Sequence, residues 1–231
     1  MMRFLPLLAL FYGVLFATPI DEALLAFRAK EYSKAFSLYE HEAKQGNLEA
    51  QNALSYLYFA GLGTNADKQQ GLFWLTNAAA QNNIKAQRDL GMMYLIGQNT
   101  SQDYTQALLW LQKAAQAGDD RAQYNLAFMY YRGDGVDQNI TKTAEYLESS
   151  AKGGNQKAQQ LVGRILLQIL DFERAAYWLE INAKNADIEA AYLLAELYCS
   201  KNEYDKATPW IKNALNAGFN KVKELKESCK K

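Results

Sequence analysis

The sequence predicts an all-α fold, an α/α superhelical solenoid of antiparallel helix hairpins. The first observation is internal similarity at a spacing of 36 residues, which carries Ala50 onto Ala86 and Ala86 onto Ala122. The second is that apolar residues in each copy recur at helical spacing. The third is a glycine after each periodic stretch, where a helix would end. Self-similarity at a period of roughly 20–50 residues is the signature of a solenoid.

Residues 1–17 predict a secretory signal peptide. Arg3 gives a positive start, an almost uninterrupted apolar run follows from Phe4 to Phe16, and Ala17 is a small residue at a plausible cleavage point. The run suits a signal-peptide core and is short for a membrane span of about 20 residues. We therefore expect a periplasmic or secreted bacterial protein with no stable membrane span after cleavage. The alternative is an uncleaved anchor.

Residues 18–49 predict an irregular N-terminal capping hairpin. Thr18 and Pro19 suit a helix start, and the segment around Tyr32 and Ala35 resembles the second helix of the later repeats. Terminal repeats of a solenoid are expected to be atypical because they cap the array.

Three regular repeats follow at 50–85, 86–121 and 122–157. In the middle repeat, Ala86, Leu90 and Tyr94 lie on one face of a first helix, here called helix A, and Gly97 ends it. A cap-type residue, Asp103, then begins helix B, which carries an aromatic residue and ends near a second alanine. The small residues at the junctions let neighbouring hairpins approach closely. These alanine pairs are Ala43/Ala50, Ala79/Ala86, Ala115/Ala122, Ala151/Ala158 and Ala183/Ala190.

Two shorter repeats, 158–189 and 190–221, lack the glycine-containing loop, and residues 222–231 predict a charged C-terminal capping helix. In the second regular repeat Asn99 replaces the second loop glycine, so its turn is either less tight or uses asparagine with positive φ. The aromatic column of the B helices predicts interhelical core and not a cofactor site. Its members are Trp74, Trp110, Tyr146, Trp178 and Trp210.

The pattern A-x-x-x-L-[small]-x-x-Y-x-x-G-x-G, followed by D-x-x-x-A-x-x-W, resembles the Sel-1-like repeat family, whose α/α solenoids are related to tetratricopeptide repeats. The match is strongest over 50–157. This resemblance implies a scaffold that holds a partner protein or peptide. More distantly, the chain is similar to the Helicobacter cysteine-rich proteins, but alanines occupy the positions of their cysteine pairs. Some of those proteins are reported as β-lactamases, so a β-lactamase or penicillin-binding activity is the alternative function.

Composition excludes several other classes of function. Lys+Arg and Asp+Glu both number 25 and no basic run is present, which argues against nucleic acid as a partner. His41 is the only histidine, so a metal site built from several histidines is impossible. No G-x-S-x-G motif occurs. We expect a monomeric, non-enzymatic protein with no cofactor and no metal.

A second face of helix A is the candidate partner-binding surface. It lies two, six and nine residues after each repeat alanine, and we call it the helix A strip. Helix A usually lines the concave side of such solenoids, and aromatic, methionine and interspersed polar side chains suit partner recognition. The alternative is that much of the strip packs against the adjacent helix A. The candidate residues are Tyr56, Phe59, Arg88, Met92, Leu95, Tyr124, Phe128, Tyr131, Arg164 and Tyr192.

Cys199 and Cys229 are the only cysteines, and they fall at similar heights on neighbouring A helices. An even count in an exported chain favours a disulfide that ties down the C-terminal cap. The alternative is two free thiols that are too far apart to bond.

Overall fold

The computed structural model describes residues 18–229, which contain 13 α-helices and no strand. This confirms the predicted all-α fold of helix hairpins. The chain divides into two compact units, Met1–Ala78 and Ala79–Lys231. The predicted signal peptide, residues 1–17, lies outside the described residues. No helix in the described part is long and apolar enough to cross a membrane.

The first unit contains two hairpins. Their helices are α1 (Pro19–Arg28), α2 (Tyr32–Lys44), α3 (Leu48–Ala60) and α4 (Lys68–Ala80). The last two residues of α4, Ala79 and Ala80, belong to the second unit. Thr18 caps α1 and exchanges hydrogen bonds with Asp21, and Pro19 occupies the first turn. The core is formed mainly by small and branched side chains, including Ala23 and Leu54, together with the aromatic ring of Tyr39.

The second unit repeats the hairpin four times and ends in a short helix. Its helices are α5 (Ile84–Ile96), α6 (Tyr104–Gln116), α7 (Asp120–Arg132), α8 (Ile140–Lys152), α9 (Gln156–Gln168), α10 (Phe172–Lys184), α11 (Ile188–Ser200), α12 (Tyr204–Asn216) and α13 (Val222–Ser228). The A helices are therefore α3 in the first unit and α5, α7, α9 and α11 in the second. Each A helix begins two positions before its repeat alanine.

Each of these A helices starts at an asparagine or aspartate three residues before the repeat alanine. The side-chain oxygen of this residue accepts a hydrogen bond from the backbone N–H of the alanine, at 2.8–3.2 Å. This satisfies an amide that the helix itself leaves unpaired. The capping residues are Asn47, Asn83, Asp119, Asn155 and Asp187.

In the regular repeats, helix A ends at a glycine, as predicted. Gly61, Gly97 and Gly133 adopt the left-handed conformation at the C-caps of α3, α5 and α7. Asn99 has φ of 60°, so its loop keeps the tight turn by using asparagine in the left-handed region. In the shorter A-to-B turn of α9, Leu170 has φ of 60° and leaves 69% of its surface exposed.

The alanine pairs at the repeat junctions are all buried, in agreement with the packing argument. Next to them runs a series of glutamines that the alanine pattern does not predict. In the second unit, Gln87 Nε2 donates to the carbonyl of Ala79 at 3.1 Å, and Gln159 Nε2 donates to that of Ala151 at 3.0 Å. Each bond links the start of an A helix to the end of the B helix before it.

Four of the five members of the aromatic column of the B helices pack into the core clusters, whereas Trp110 is half-buried beneath Lys113 Nζ, 4.1 Å from its ring centre. Trp178 is 4% exposed, Trp74 packs against the core of the first unit, and Tyr146 and Trp210 pack against that of the second. The Tyr130 and Tyr146 rings stack with centroids 5.6 Å apart. These contacts support the structural role predicted for the column.

A disulfide joins Cys199 at the end of α11 to Cys229 at the C-cap of α13. The pairing predicted from the cysteine count is thus confirmed. It holds α13 beside a small cluster in which Val222 is fully buried.

Candidate functional site

In the first unit, two members of the helix A strip lie on α3. Tyr56 is 54% exposed and contacts the edge of the Phe27 ring, with centroids 6.0 Å apart. Phe59 is half-buried and covers Gly71 of α4 so closely that a Cβ there would lie 2.5 Å from its ring. Tyr56 therefore presents an accessible ring, whereas Phe59 is partly used in packing.

In the second unit, Arg88 of α5 is engaged in ion pairs. Its Nη1 lies 2.9 Å from Asp119 Oδ2 and its Nη2 lies 2.9 Å from Asp89 Oδ1. Burial alone would lower the pKa of Arg88, but the two carboxylates raise it above its usual value. Because Asp119 is also the N-cap of α7, Arg88 links α5 to the start of the next A helix.

Arg164 of α9 makes the equivalent contact two repeats further along. Its Nη2 lies 3.1 Å from Asp187 Oδ2 and 3.1 Å from Glu189 Oε2. Asp187 is the N-cap of α11. Both arginines of the strip therefore bridge successive A helices.

Met92 and Leu95 of α5 are half-buried against the core cluster that contains Leu111, Leu126 and Met129. Both side chains contribute to the packing of the second unit, and each keeps part of its surface open.

Three aromatic residues of α7 form one continuous group. The Tyr124 and Phe128 rings lie 4.8 Å apart between centroids, and the Phe128 and Tyr131 rings lie 6.4 Å apart. Tyr124 and Phe128 rest on the core cluster with one side only, and Tyr131 is 40% exposed. Of the ten predicted residues, these three come together to form an accessible aromatic surface, which we call the α7 aromatic stripe.

Tyr192 of α11 lies at the C-terminal end of the strip. Its hydroxyl donates to Glu196 Oε1 at 3.2 Å, and its ring packs on Phe219 with centroids 5.3 Å apart. Burial, together with the nearby Glu196 and Glu224, raises the pKa of its hydroxyl.

A groove beside the α7 aromatic stripe was not predicted from the sequence. It lies between the starts of α7 and α9 and has a volume of about 510 Å³. Arg121 comes one residue before the repeat alanine, and Tyr124 comes three residues after Arg121. Residues three apart lie on the same face of a helix, so this spacing could have indicated the face. The lining residues are Asp120, Arg121, Tyr124, Asn125, Gly154, Asn155, Gln156 and Lys157.

One feature bears on the alternative β-lactamase function. The S-x-x-K spacing of serine β-lactamases occurs at Ser149 and Lys152 in the last turn of α8. The structure does not join them into a catalytic pair. Ser149 Oγ donates to the carbonyl of Glu145 at 2.9 Å, and Lys152 Nζ lies 3.1 Å from Glu148 Oε1. Ser228 has the same spacing to Lys231, which lies outside the described residues. His41, the only candidate imidazole base, is exposed on α2.

Glu148 is a buried acidic residue of the second unit, with 9% of the residue exposed. Arg174 Nη1 lies 2.7 Å from its Oε2, and Trp178 Nε1 donates to its Oε1 at 3.4 Å. Burial would raise the pKa of Glu148, but hydrogen bonds from Arg174, Lys152 and Trp178 outweigh it and lower the pKa. This network joins α8 to α10 and is structural. Among residues 18–229, no group of three side chains is arranged to hold a metal ion.

The geometry defines a class of protein, an α/α helical-repeat scaffold with a partly exposed aromatic face on its A helices. The Sel1 repeat family model matches residues 48–83, 84–119, 120–155 and 161–187. These segments make up more than half of the chain, which therefore belongs to the Sel1 repeat family. Sel1 repeat proteins are generally non-catalytic scaffolds for protein–protein interaction.

One solved structure agrees with this assignment, and two further ones are only similar chains. A Sel1 repeat protein from Oxalobacter formigenes is 26% identical, with a TM-score of 0.66 over 90% of this chain and 86% of that one. A protective antigen of uropathogenic Escherichia coli is also 26% identical, with a TM-score of 0.45 over 88% of this chain and 55% of that one. Helicobacter pylori cysteine rich protein B is 22% identical, with a TM-score of 0.43 over 62% of this chain and 97% of that one. A comparison with curated proteins finds no significant match.

Proposed function

We propose that this protein is an exported, non-enzymatic and monomeric scaffold that binds a partner protein or peptide through the helix A strip, the surface predicted to be concave. The observation that carries the proposal is the α7 aromatic stripe. Its three rings contact one another, and Tyr131 is 40% exposed. Large aromatic side chains dominate the binding energy of protein interfaces.

The residues of the repeat pattern in α7 serve packing. Ala122, Leu126 and Ala127 of α7 are fully buried and Tyr130 is 7% exposed, so these side chains are committed to the core. The stripe lies on another face of the same helix, where Tyr124 and Phe128 are only half-buried. An accessible aromatic surface on a rigid helix is well suited to hold a partner with little loss of side-chain entropy.

Two features support export. The apolar run within residues 1–17 has the length and flanks of a secretory signal. The disulfide between Cys199 and Cys229 is of a kind that persists in oxidising compartments and is rare in the cytosol.

The binding proposal is tested by a crosslinking pull-down from the envelope fraction of the native host. The bait carries Tyr124→Ser and Phe128→Ser together, and the matched control carries Tyr177→Ser, which removes an exposed ring from α10. Circular dichroism checks that each bait is folded. We expect the double variant to lose the partners captured by the parent and the control to keep them. Equal capture by all three baits would contradict the proposal.

Export is tested separately by N-terminal sequencing of the mature protein from the host. We expect the chain to start near Thr18. Intact Met1 on protein recovered from the cytosol would contradict export and leave the binding proposal untouched.

A further inference from the structure

The α7 face combines the aromatic stripe with a cation at each end. Arg121 lies in the first turn of α7 and Arg132 is its last residue. At 100° per residue, both arginines share the face that carries Tyr124 and Phe128. The guanidinium of Arg132 lies 5.6 Å from the centre of the Phe128 ring. Lys157 of α9 lines the same groove as Arg121 and Tyr124.

These cations differ from the other arginines of the second unit. Arg88, Arg164 and Arg174 each form ion pairs with carboxylates, whereas within residues 18–229 neither Arg121, Arg132 nor Lys157 forms an ion pair with a carboxylate. Asp120 is the only carboxylate that lines the groove, so Arg121 and Lys157 leave it with a net positive charge. The position of Arg121 is also unfavourable within its own helix, because a cation at a helix N-terminus opposes the helix dipole.

Resting on the proposed function, we propose that the α7 face binds an acidic peptide segment in which two carboxylates flank a large apolar side chain. Arg121 and Arg132 are separated by 11 residues, which corresponds to about 16 Å along the helix axis at 1.5 Å per residue. An extended peptide covers that distance in about five residues. One carboxylate then pairs with Arg121 near Lys157, the other pairs with Arg132, and the apolar side chain lies on Phe128.

The charge pattern favours a peptide over a single-stranded nucleic acid. A nucleic acid carries one negative charge at every nucleotide and needs a continuous basic groove. Here Asp119 at the start of α7 pairs with Arg88 of α5, and Asp120 lines the groove together with Lys157 of α9. The whole chain has no net charge. Two separated cations that flank apolar rings match a ligand with two separated acids.

The test measures fluorescence anisotropy with the full chain and two labelled peptides. The first has the sequence Gly-Glu-Ser-Ala-Phe-Ser-Glu-Gly, and the second has glutamine in place of both glutamates. We expect the acidic peptide to bind about tenfold more tightly, since each of the two exposed ion pairs should strengthen binding by about threefold. Its affinity should fall about tenfold in the variant Arg121→Gln/Arg132→Gln. The matched control, Lys184→Gln/Lys212→Gln, removes two exposed B-helix cations and should change affinity less than twofold.

Each other outcome overturns the inference. Equal binding of the two peptides, no binding of either, or unchanged affinity in the double arginine variant would each show that the cations do not select an acidic segment. Tighter binding of a labelled oligothymidine would assign the face to nucleic acid. The envelope pull-down does not use these peptides and tests the proposed function separately. If the peptides fail but the variant Tyr124→Ser/Phe128→Ser still loses its captured partners, the proposed function stands and only this inference is overturned.

Discussion

Removal of the disulfide between Cys199 and Cys229 should destabilise the C-terminal end of the second unit. The bond closes a loop with a sequence separation of 30 residues. In the chain-entropy model, such a loop lowers the entropy of the unfolded segment by about 12 cal/mol/K, which gives about 3.6 kcal/mol at 25 °C. The contacts of α13 are few, since Val222 is its buried residue and Leu225 packs against the same cluster only in part. Most of its attachment should therefore come from the bond.

Native-state hydrogen exchange of the variant Cys199→Ala/Cys229→Ala gives the measurement. We expect amides of α12 and α13 to exchange up to about 400-fold faster, which is 3.6 kcal/mol converted at 1.36 kcal/mol per tenfold. Amides of α7 should be unchanged, because repeat stability is largely local. Reductant should reproduce the effect in the parent and change nothing in the variant. Acceleration of less than about twofold in α13 would refute the reasoning.

Three further predictions concern single contacts of the second unit. Gln87→Met removes the buried bond to the carbonyl of Ala79 and should lower the free energy of unfolding in urea by about 1–2 kcal/mol. The control is Gln116→Met, at an exposed position of α6, and an equal loss there would contradict the assignment. Glu148→Gln should cost about 1–3 kcal/mol at pH 7. The pKa of Glu148 is lowered in the folded state, so its stabilisation is present above the unfolded pKa of about 4.5 and is lost as pH falls through the folded pKa. The difference in unfolding free energy between parent and variant should therefore shrink as pH falls below about 4.5. A difference that stays constant with pH would exclude the ionised carboxylate as the cause. Leu170→Asn should stabilise by about 0.5–1 kcal/mol, since asparagine tolerates the positive φ that strains leucine; a lower melting temperature would contradict this.

The repeat itself could be predicted because its determinants are local. The alanines, the C-cap glycines and the aromatic column recur at fixed spacing, and the structure uses them for close packing, left-handed turns and core. The N-caps of the A helices also depend on local sequence, because an asparagine or aspartate lies three residues before each repeat alanine. These caps were not predicted from the sequence. The glutamine next to the alanine was visible as well, yet its role depends on a carbonyl of the preceding helix.

The helix A strip shows where prediction from sequence ends. Arg88 and Arg164 occupy strip positions, but their partners Asp119 and Asp187 lie 31 and 23 residues away. Such pairs depend on the rotation and spacing of successive helices, which the repeat pattern does not encode. The cations Arg121 and Lys157 were missed for the same reason, because their shared groove forms only when α7 and α9 are packed.

Site-specific photocrosslinking tests the central claim most directly. A benzophenone amino acid replaces Tyr131 on the α7 aromatic stripe or, as a control, Tyr177 on α10, which is 60% exposed. Both proteins are expressed in the native host and irradiated before lysis. Partner binding through the helix A strip predicts a discrete crosslinked species from position 131 and none from position 177. The same species from both positions, or from position 177 alone, would contradict it.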